Sequence, residues 1–168
     1  MTAGSQAARE LVDVVDDDDR VVATVTRAEM RARRLKHRCV FIVVRRSDGH
    51  LLVHQRSAAK DFLPNAWDVA VGGVVGCGEG WDEAAARELA EEVGIDGPPL
   101  RFRRATRYQD ELVDEVVRVY DLTWDGPIAF DDGEVVAAVW LDEAELTVRR
   151  ARDLFCPDSL AVAGDLLF

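Results

Sequence analysis

Apolar positions along the chain fall into short β-branched runs separated by turn residues, with a few stretches that switch to helical spacing. Leu11 to Val15 and Val21 to Val25 flank the run Asp16 to Asp19, which predicts a β-hairpin closed by a solvated acidic turn. Thr26, Arg27, Ala28 and Glu29 match a capping box and predict a short helix to about Leu35. Arg38 to Arg45 and Leu51 to Gln55 are aliphatic runs joined by Ser47-Asp48-Gly49, a strong hairpin signal. Val69 to Val75 reads as a strand interrupted by Gly72 and Gly73. Asp82 is expected to cap a helix through Val93, with Gly94 ending it. Strands are expected at Arg101 to Gln109, Glu115 to Trp124 and Val135 to Leu141, with Asp125-Gly126-Pro127 turning the chain between the last two. A helix should follow over Asp142 to Arg152, and Pro157-Asp158-Ser159 should cap a last one from Leu160 to Leu167. Strands and helices mix without strict alternation. The fold class is therefore α/β or α+β, a mixed sheet with helices on both faces.

Composition adds boundaries. At 168 residues the chain suits one domain with a sizeable core, expected over residues 11–168 behind a flexible segment of residues 1–10. Hydrophobic residues make up 48% and charged ones 32%, the balance of a globular protein. No apolar run reaches the roughly 18 to 20 residues of a membrane span, and the first ten residues lack a secretory signal pattern. Cys39, Cys77 and Cys156 are widely spaced and odd in number, which argues against a disulfide framework and fits a reducing cytoplasm. The net charge of −11 disfavours a nucleic acid polymer as partner, because backbone binding needs a basic stripe. A small phosphorylated molecule remains compatible where divalent metal masks the repulsion. A homodimer is compatible too, although no residue points to its interface.

The chemistry concentrates between Gly73 and Ile95. With 3.6 residues per turn, Glu88, Glu91 and Glu92 project from one face of the predicted helix. Ala85, Leu89 and Val93 form an adjoining apolar stripe that can seat it on the sheet. Arg87 is the only cation of this helix, so the three carboxylates repel one another largely uncompensated. Hard oxygen ligands clustered in this way suit Mg2+ or Mn2+. A solvated acidic face is the bland alternative for a bare pattern of this type. The glycine-rich loop before the helix permits sharp turns and close approach to a ligand.

This stretch resembles the signature of the Nudix hydrolase superfamily, G-x5-E-x7-R-E-U-x-E-E-x-G-U with U a bulky aliphatic residue. Gly73, Glu79, Arg87, Glu88, Leu89, Glu91, Glu92, Gly94 and Ile95 fill every specified position. The resemblance implies an α/β/α sandwich around a mixed sheet, with the signature as a loop–helix–loop. It implies a Mg2+- or Mn2+-dependent enzyme that attacks one phosphorus of a small-molecule diphosphate with water. Carried over, Glu88, Glu91 and Glu92 become metal ligands, with Glu91 and Glu92 also counted as catalytic. Glu79 becomes an auxiliary ligand or loop anchor, Arg87 an orienting residue, and Gly73 part of the substrate-binding loop.

Beyond this box, the order of hairpin, capped helix, His37-Arg-Cys-Val-Phe-Ile and the segment Leu52 to Asp68 is similar to isopentenyl-diphosphate isomerase, and more so to isomerase-like bacterial Nudix hydrolases. Arg56 and Lys60 fall where the isomerase places cations near its diphosphate, which marks them as candidate anion contacts; loss of Lys60 is then expected chiefly to raise KM. Two departures separate the chain from the isomerase. Val71 stands at the catalytic cysteine position and Gly73 at that of a metal-binding histidine, so half of the protonation–deprotonation apparatus is missing. Hydrolysis is the expected activity; isomerisation and non-catalytic nucleotide sensing are the alternatives.

Glu115 matches the isomerase's catalytic glutamate by position, as a general base or further ligand, or is a solvent-facing strand residue. Glu134 sits where many family members carry a base for the attacking water. His37 aligns with one of the isomerase's metal-binding histidines, but a structural hydrogen bond at a strand start is the simpler expectation. Trp67 and Trp81 flank the box and can stack on a base or serve as packing; Trp140 reads as core.

Overall fold

The computed structural model describes residues 7–130 and 133–168. The expected flexible segment therefore lies in part outside the described residues, as do Asp131 and Asp132.

The architecture is organised by β3, His37–Arg45. Its continuous apolar run is explained by burial on both faces. Cys39, Phe41 and Val43 enter one core cluster, and the alternate residues Val40, Ile42 and Val44 enter the other. Four neighbours share its edges. β1 (Leu11–Val15) meets it at Val14–His37, and β4 (Leu51–Arg56) at the hairpin end. β6 (Val71–Val74) runs antiparallel to it, and β8 (Asp114–Thr123) runs parallel over nine pairs from His37–Glu115 to Arg45–Thr123. Outward from these, β2 (Val21–Thr26) pairs with β1, β5 (Trp67–Asp68) and β9 (Val135–Leu141) with β4, and β7 (Arg101–Gln109) with β8. The sheet is mixed, as expected.

Helices cover both faces. α1 (Arg27–Arg33), α3 (Glu143–Arg150) and α4 (Pro157–Ala163) contribute Met30, Leu146 and Val162 to the first core. α2 (Trp81–Val93) seats Ala84, Ala85, Leu89 and Val93 on the second. Full burial of a side chain such as Leu89 contributes about 1.5–3 kcal/mol. Among the described residues no helix is long and apolar enough to cross a membrane.

Several boundaries differ from the sequence reading for identifiable reasons. Gly80, not Asp82, caps α2: Glu83 accepts a hydrogen bond from the Gly80 amide at 3.0 Å, while Asp82 accepts one from the Tyr120 hydroxyl at 2.6 Å. α1 stops at Arg33 because Arg34 turns left-handed, with φ 50°. The last helix starts at Pro157, as befits a proline in a first turn, and a 3-10 turn, Gly164–Leu166, follows it. β5 is two residues long, too short for a periodic signal; it is fixed by Trp67 donating to Leu154 O at 2.8 Å and accepting from Cys156 N at 2.9 Å. Trp140, expected in the core, is only half-buried, with the Arg46 guanidinium 4.4 Å from its ring centroid.

Candidate active site

Helix α2 divides its three signature glutamates between environments. Glu88 and Glu92 are buried, at 7% and 1% exposure, because they share the helix face that packs on the sheet, whereas Glu91 is exposed. The strand behind them is β6, and its glycines set how closely the helix approaches. A Cβ on Gly73 would stand 2.5 Å from Glu88 Oε1, and one on Gly72 would stand 2.0 Å from the Val40 carbonyl oxygen.

Arg87 binds the signature together. It donates from Nε and Nη2 to the two Glu79 oxygens at 2.8 and 3.0 Å. It also donates from Nη1 to Glu88 Oε1 at 2.7 Å and Glu91 Oε2 at 3.1 Å, and from Nη2 to Val74 O at 3.2 Å. Hydrogen bonds to Glu79 are the main reason its guanidinium is held even more firmly protonated than usual. Glu79 in turn accepts from the Gly76 amide at 2.8 Å. Burial pushes the Glu79 carboxyl up, but Arg87 and that amide outweigh it and hold the group below its ordinary range. Asp13 pins the same loop from β1: it accepts from the Gly78 amide at 3.0 Å and from Thr24 Oγ1 at 2.8 Å. The sequence reading missed Asp13, since nothing in an alternating strand marks one carboxylate as a loop anchor.

A second cluster sits beside the first. Lys60, from the turn after β4, donates to Glu92 Oε1 at 3.0 Å and to Glu134 Oε2. Burial works against its charge, yet Glu92, followed by Glu134, holds its pKa above the ordinary value in spite of nearby Arg56. Buried His54 places Nε2 3.7 Å from Glu92 Oε2; it was given no role by the sequence, where it is one polar residue in an apolar strand. Burial, then proximity to Glu92, pushes Glu88 up to about 7 against the opposing pull of Arg87. Each buried carboxylate of the helix has a cation in contact, Arg87 at Glu88 and Lys60 at Glu92.

Arg56 and Glu115 are placed deeper. Arg56 donates to Phe62 O at 3.1 Å and lies 3.7 Å from Asp68. Together with Lys60, Gly73 and Glu88, both line a small inner cavity of about 40 Å3. Glu115 is not solvent-facing: it is 2% exposed, 3.7 Å from His37 Nε2. Burial first, then Asp158, pushes its carboxyl up to about 8. His37 donates from Nδ1 to Leu35 O at 2.8 Å, which leaves Nε2 as the acceptor nitrogen, buried and without a hydrogen-bond partner. Among the described residues, His37, Cys39 and Glu115 bring ligand atoms within 4.8 Å of one another, as do His50, Asp142 and Glu145; the helix glutamates do not form such a group.

Over α2 opens a cleft of about 510 Å3 whose wall includes Glu79, Arg87, Glu88, Glu91 and, opposite them, Arg27 and Glu134. Arg27, also unforeseen, is held by Asp61 at 3.0 Å and Glu10 at 3.5 Å. Neither flanking tryptophan lines this cleft. Trp67 is buried against Arg149, 3.8 Å from its ring centroid, and Trp81 lies under Arg38 and Arg118.

The sequence profile of the NUDIX domain matches residues 35–158. This chain belongs to the Nudix hydrolase family. It is 40% identical over 154 residues to an uncharacterized Nudix hydrolase of Salmonella typhi, YfcD, covering 92% of this chain and 83% of that protein. It is 40% identical over 162 residues to another from Streptomyces coelicolor, covering 95% and 90%. Among solved structures, DR0079 from Deinococcus radiodurans superposes with a TM-score of 0.75 at 29% identity, covering 94% of this chain and 97% of that one. The α/β/α sandwich is thus a Nudix fold. Val71, at the position of the isomerase cysteine, is 1% exposed in the second core and offers no reactive group.

Proposed function

We propose that this Nudix hydrolase cleaves the diphosphate linkage of a nucleoside diphosphate derivative or similar small molecule, using Mg2+ or Mn2+ held by Glu88, Glu91 and Glu92. The observation that carries this reading is the set of three carboxylates on one face of α2, two of them buried. Burial, then proximity to Glu92, pushes buried Glu88 up to about 7 even with Arg87 in contact. Buried carboxylates on one helix face, beside an open cleft, call for a hard cation with room for substrate oxygens. The donor set fits: all three ligands are oxygens. When bound, the ion would stabilise charge growing on the phosphoryl oxygens and favour ionisation of the attacking water.

The chain's own residues have distinct parts in this scheme. Arg87 holds Glu88 and Glu91 in place from 2.7 and 3.1 Å, and Glu79 anchors Arg87 to the loop. Gly73 leaves room for the Glu88 carboxylate and brings backbone to the substrate. Lys60 and Arg56 supply positive charge on the inner side, where a diphosphate needs it. Glu134, on the cleft wall with Lys60 against it, is the better placed group to take the proton of the attacking water. Glu115 is the second candidate base, but its raised pKa leaves it largely protonated at neutral pH.

The test is a phosphate-release screen over nucleotides and nucleotide derivatives with either metal, coupled to phosphatase or pyrophosphatase, with Glu92→Gln as the blank. Activity that vanishes in the variant is expected. Equal activity in both proteins would remove the basis of the proposal.

A further inference from the structure

His54 is the buried polar residue of β4 that the hydrolytic scheme leaves unused. It is 1% exposed. Leu52, two residues earlier on the same face of the strand, enters the second core, and across the sheet His54 is paired with Ala138 of β9 and Asp68 of β5. Packing alone is better served there by an aliphatic side chain, since an imidazole brings two polar nitrogens into the interior. One of them, Nδ1, is buried with no hydrogen-bond partner. The other, Nε2, stands 3.7 Å from Glu92 Oε2. We propose that His54 is a positioning residue for Glu92: with its proton on Nε2, it steadies the Oε2 side of that carboxylate as Lys60 steadies the Oε1 side. This rests on the metal-ligand role given to Glu92 above and adds the residue behind it.

Glu92 sits in the last turn of α2, which ends at Val93. The helix holds its backbone, but the side-chain torsions that aim the carboxylate are set from outside. The groups that surround it come from separate elements. Lys60, from the turn after β4, reaches Oε1 at 3.0 Å; the Gly72 amide of β6 reaches Oε2 at 3.4 Å, on the side that His54 faces. Lys60 is a long side chain on a turn and also meets Glu134. His54 is short and stands on a strand paired along both edges, so it gives the carboxylate a fixed neighbour that a lysine cannot. The tautomer follows from the surroundings, because a carboxylate oxygen calls for the ring N–H and leaves unpartnered Nδ1 as the bare nitrogen. Groups that orient a ligating side chain contribute about 10–100-fold to metal affinity.

Three substitutions separate positioning from packing. His54→Leu removes both nitrogens. In His54→Gln the amide nitrogen can reach the place of Nε2, whereas in His54→Asn it reaches only that of Nδ1. Calorimetric titration with Mn2+ alone should show affinity lowered about tenfold or more in the leucine and asparagine variants, and returned to within about threefold of the wild type in the glutamine variant. Equal affinity in all four proteins, or a glutamine variant as weak as the leucine one, would overturn the proposal. Should the leucine protein fail to fold, the contrast between glutamine and asparagine carries the test. A second measurement needs no metal. In urea unfolding of the metal-free protein, His54→Leu should lower the midpoint in the wild-type background and lower it less beside Glu92→Gln, where the charge that His54 faces is gone. The same shift in both backgrounds would show that His54 acts independently of Glu92 and would also overturn the proposal. A wild type that binds no Mn2+ counts against the metal reading of α2 instead, and the unfolding comparison then decides the role of His54.

Discussion

Lys60 is the buried counter-ion of Glu92: its ammonium sits 3.0 Å from Oε1, and the side chains are 8% and 1% exposed. The same ammonium meets Glu134. One lysine thus ties a metal-ligand candidate to a base candidate 42 residues away. This extends the diphosphate-contact role inferred from sequence position, since a residue that organises two acids acts on more than substrate affinity.

Lys60→Met should accordingly lower kcat as well as raise KM. It should also destabilise the metal-free protein by about 3–5 kcal/mol, because Glu92 loses its partner inside the protein. Added Mg2+ should restore part of that loss. Urea unfolding with and without metal measures both effects; a variant as stable as the wild type would mean that the pair contributes nothing.

Glu92→Gln keeps the shape of the side chain and an acceptor for Lys60, so the fold should survive. The negative charge is lost, and turnover should fall by about a hundredfold or more. Circular dichroism and metal titration calorimetry accompany the rate measurement. Full activity with weakened metal binding would contradict the role given to this carboxylate.

Glycine at position 73 is required by contact rather than by backbone angle. A methyl group there meets the Glu88 carboxylate at 2.5–2.7 Å, and the carboxylate, held by Arg87 on one side, must move. Gly73→Ala should weaken metal affinity about tenfold with little change in melting temperature. Gly72→Ala differs, because its methyl meets the rigid Val40 carbonyl at 2.0 Å and should disrupt the pairing of β6 with β3. Comparing the two by thermal unfolding separates a site effect from a strand effect.

How far these relationships were legible depends on the distance along the chain. The aliphatic run from Arg38 to Arg45 already marks a strand, and the 3.6-residue period places Glu88, Glu91 and Glu92 on one helix face; that β3 is buried on both sides follows only from its four neighbours. The spacing does not say which of them is buried; that depends on how closely β6 lets α2 approach. Lys60 with Glu92, and Asp13 with Gly78, join residues 32 and 65 positions apart, and no local pattern encodes such pairings. The start of α2 was misassigned because Asp82 is a good cap by residue type, yet its carboxylate is taken by Tyr120, across the second core.

Glu115 supports a prediction in pH. Its carboxyl, buried and facing Asp158, is pushed up to about 8, against an ordinary value near 4.5. Between those values the folded protein holds a proton that the unfolded chain has released, so the unfolded state binds fewer protons and stability falls as pH rises through this window. The slope for one such group approaches about 1.4 kcal/mol per pH unit, and the accumulated loss amounts to a few kcal/mol near pH 8. Glu115→Gln removes the ionisable group while keeping its size. The variant should match the wild type near pH 5 and melt at a higher temperature near pH 8, with a flatter profile between. The same variant separates the two base candidates. If Glu115 accepts the proton of the attacking water, wild-type kcat should climb to about pH 8 and collapse in the variant. With Glu134 in that role, the variant should keep most of its rate, and Glu134→Gln should lose it.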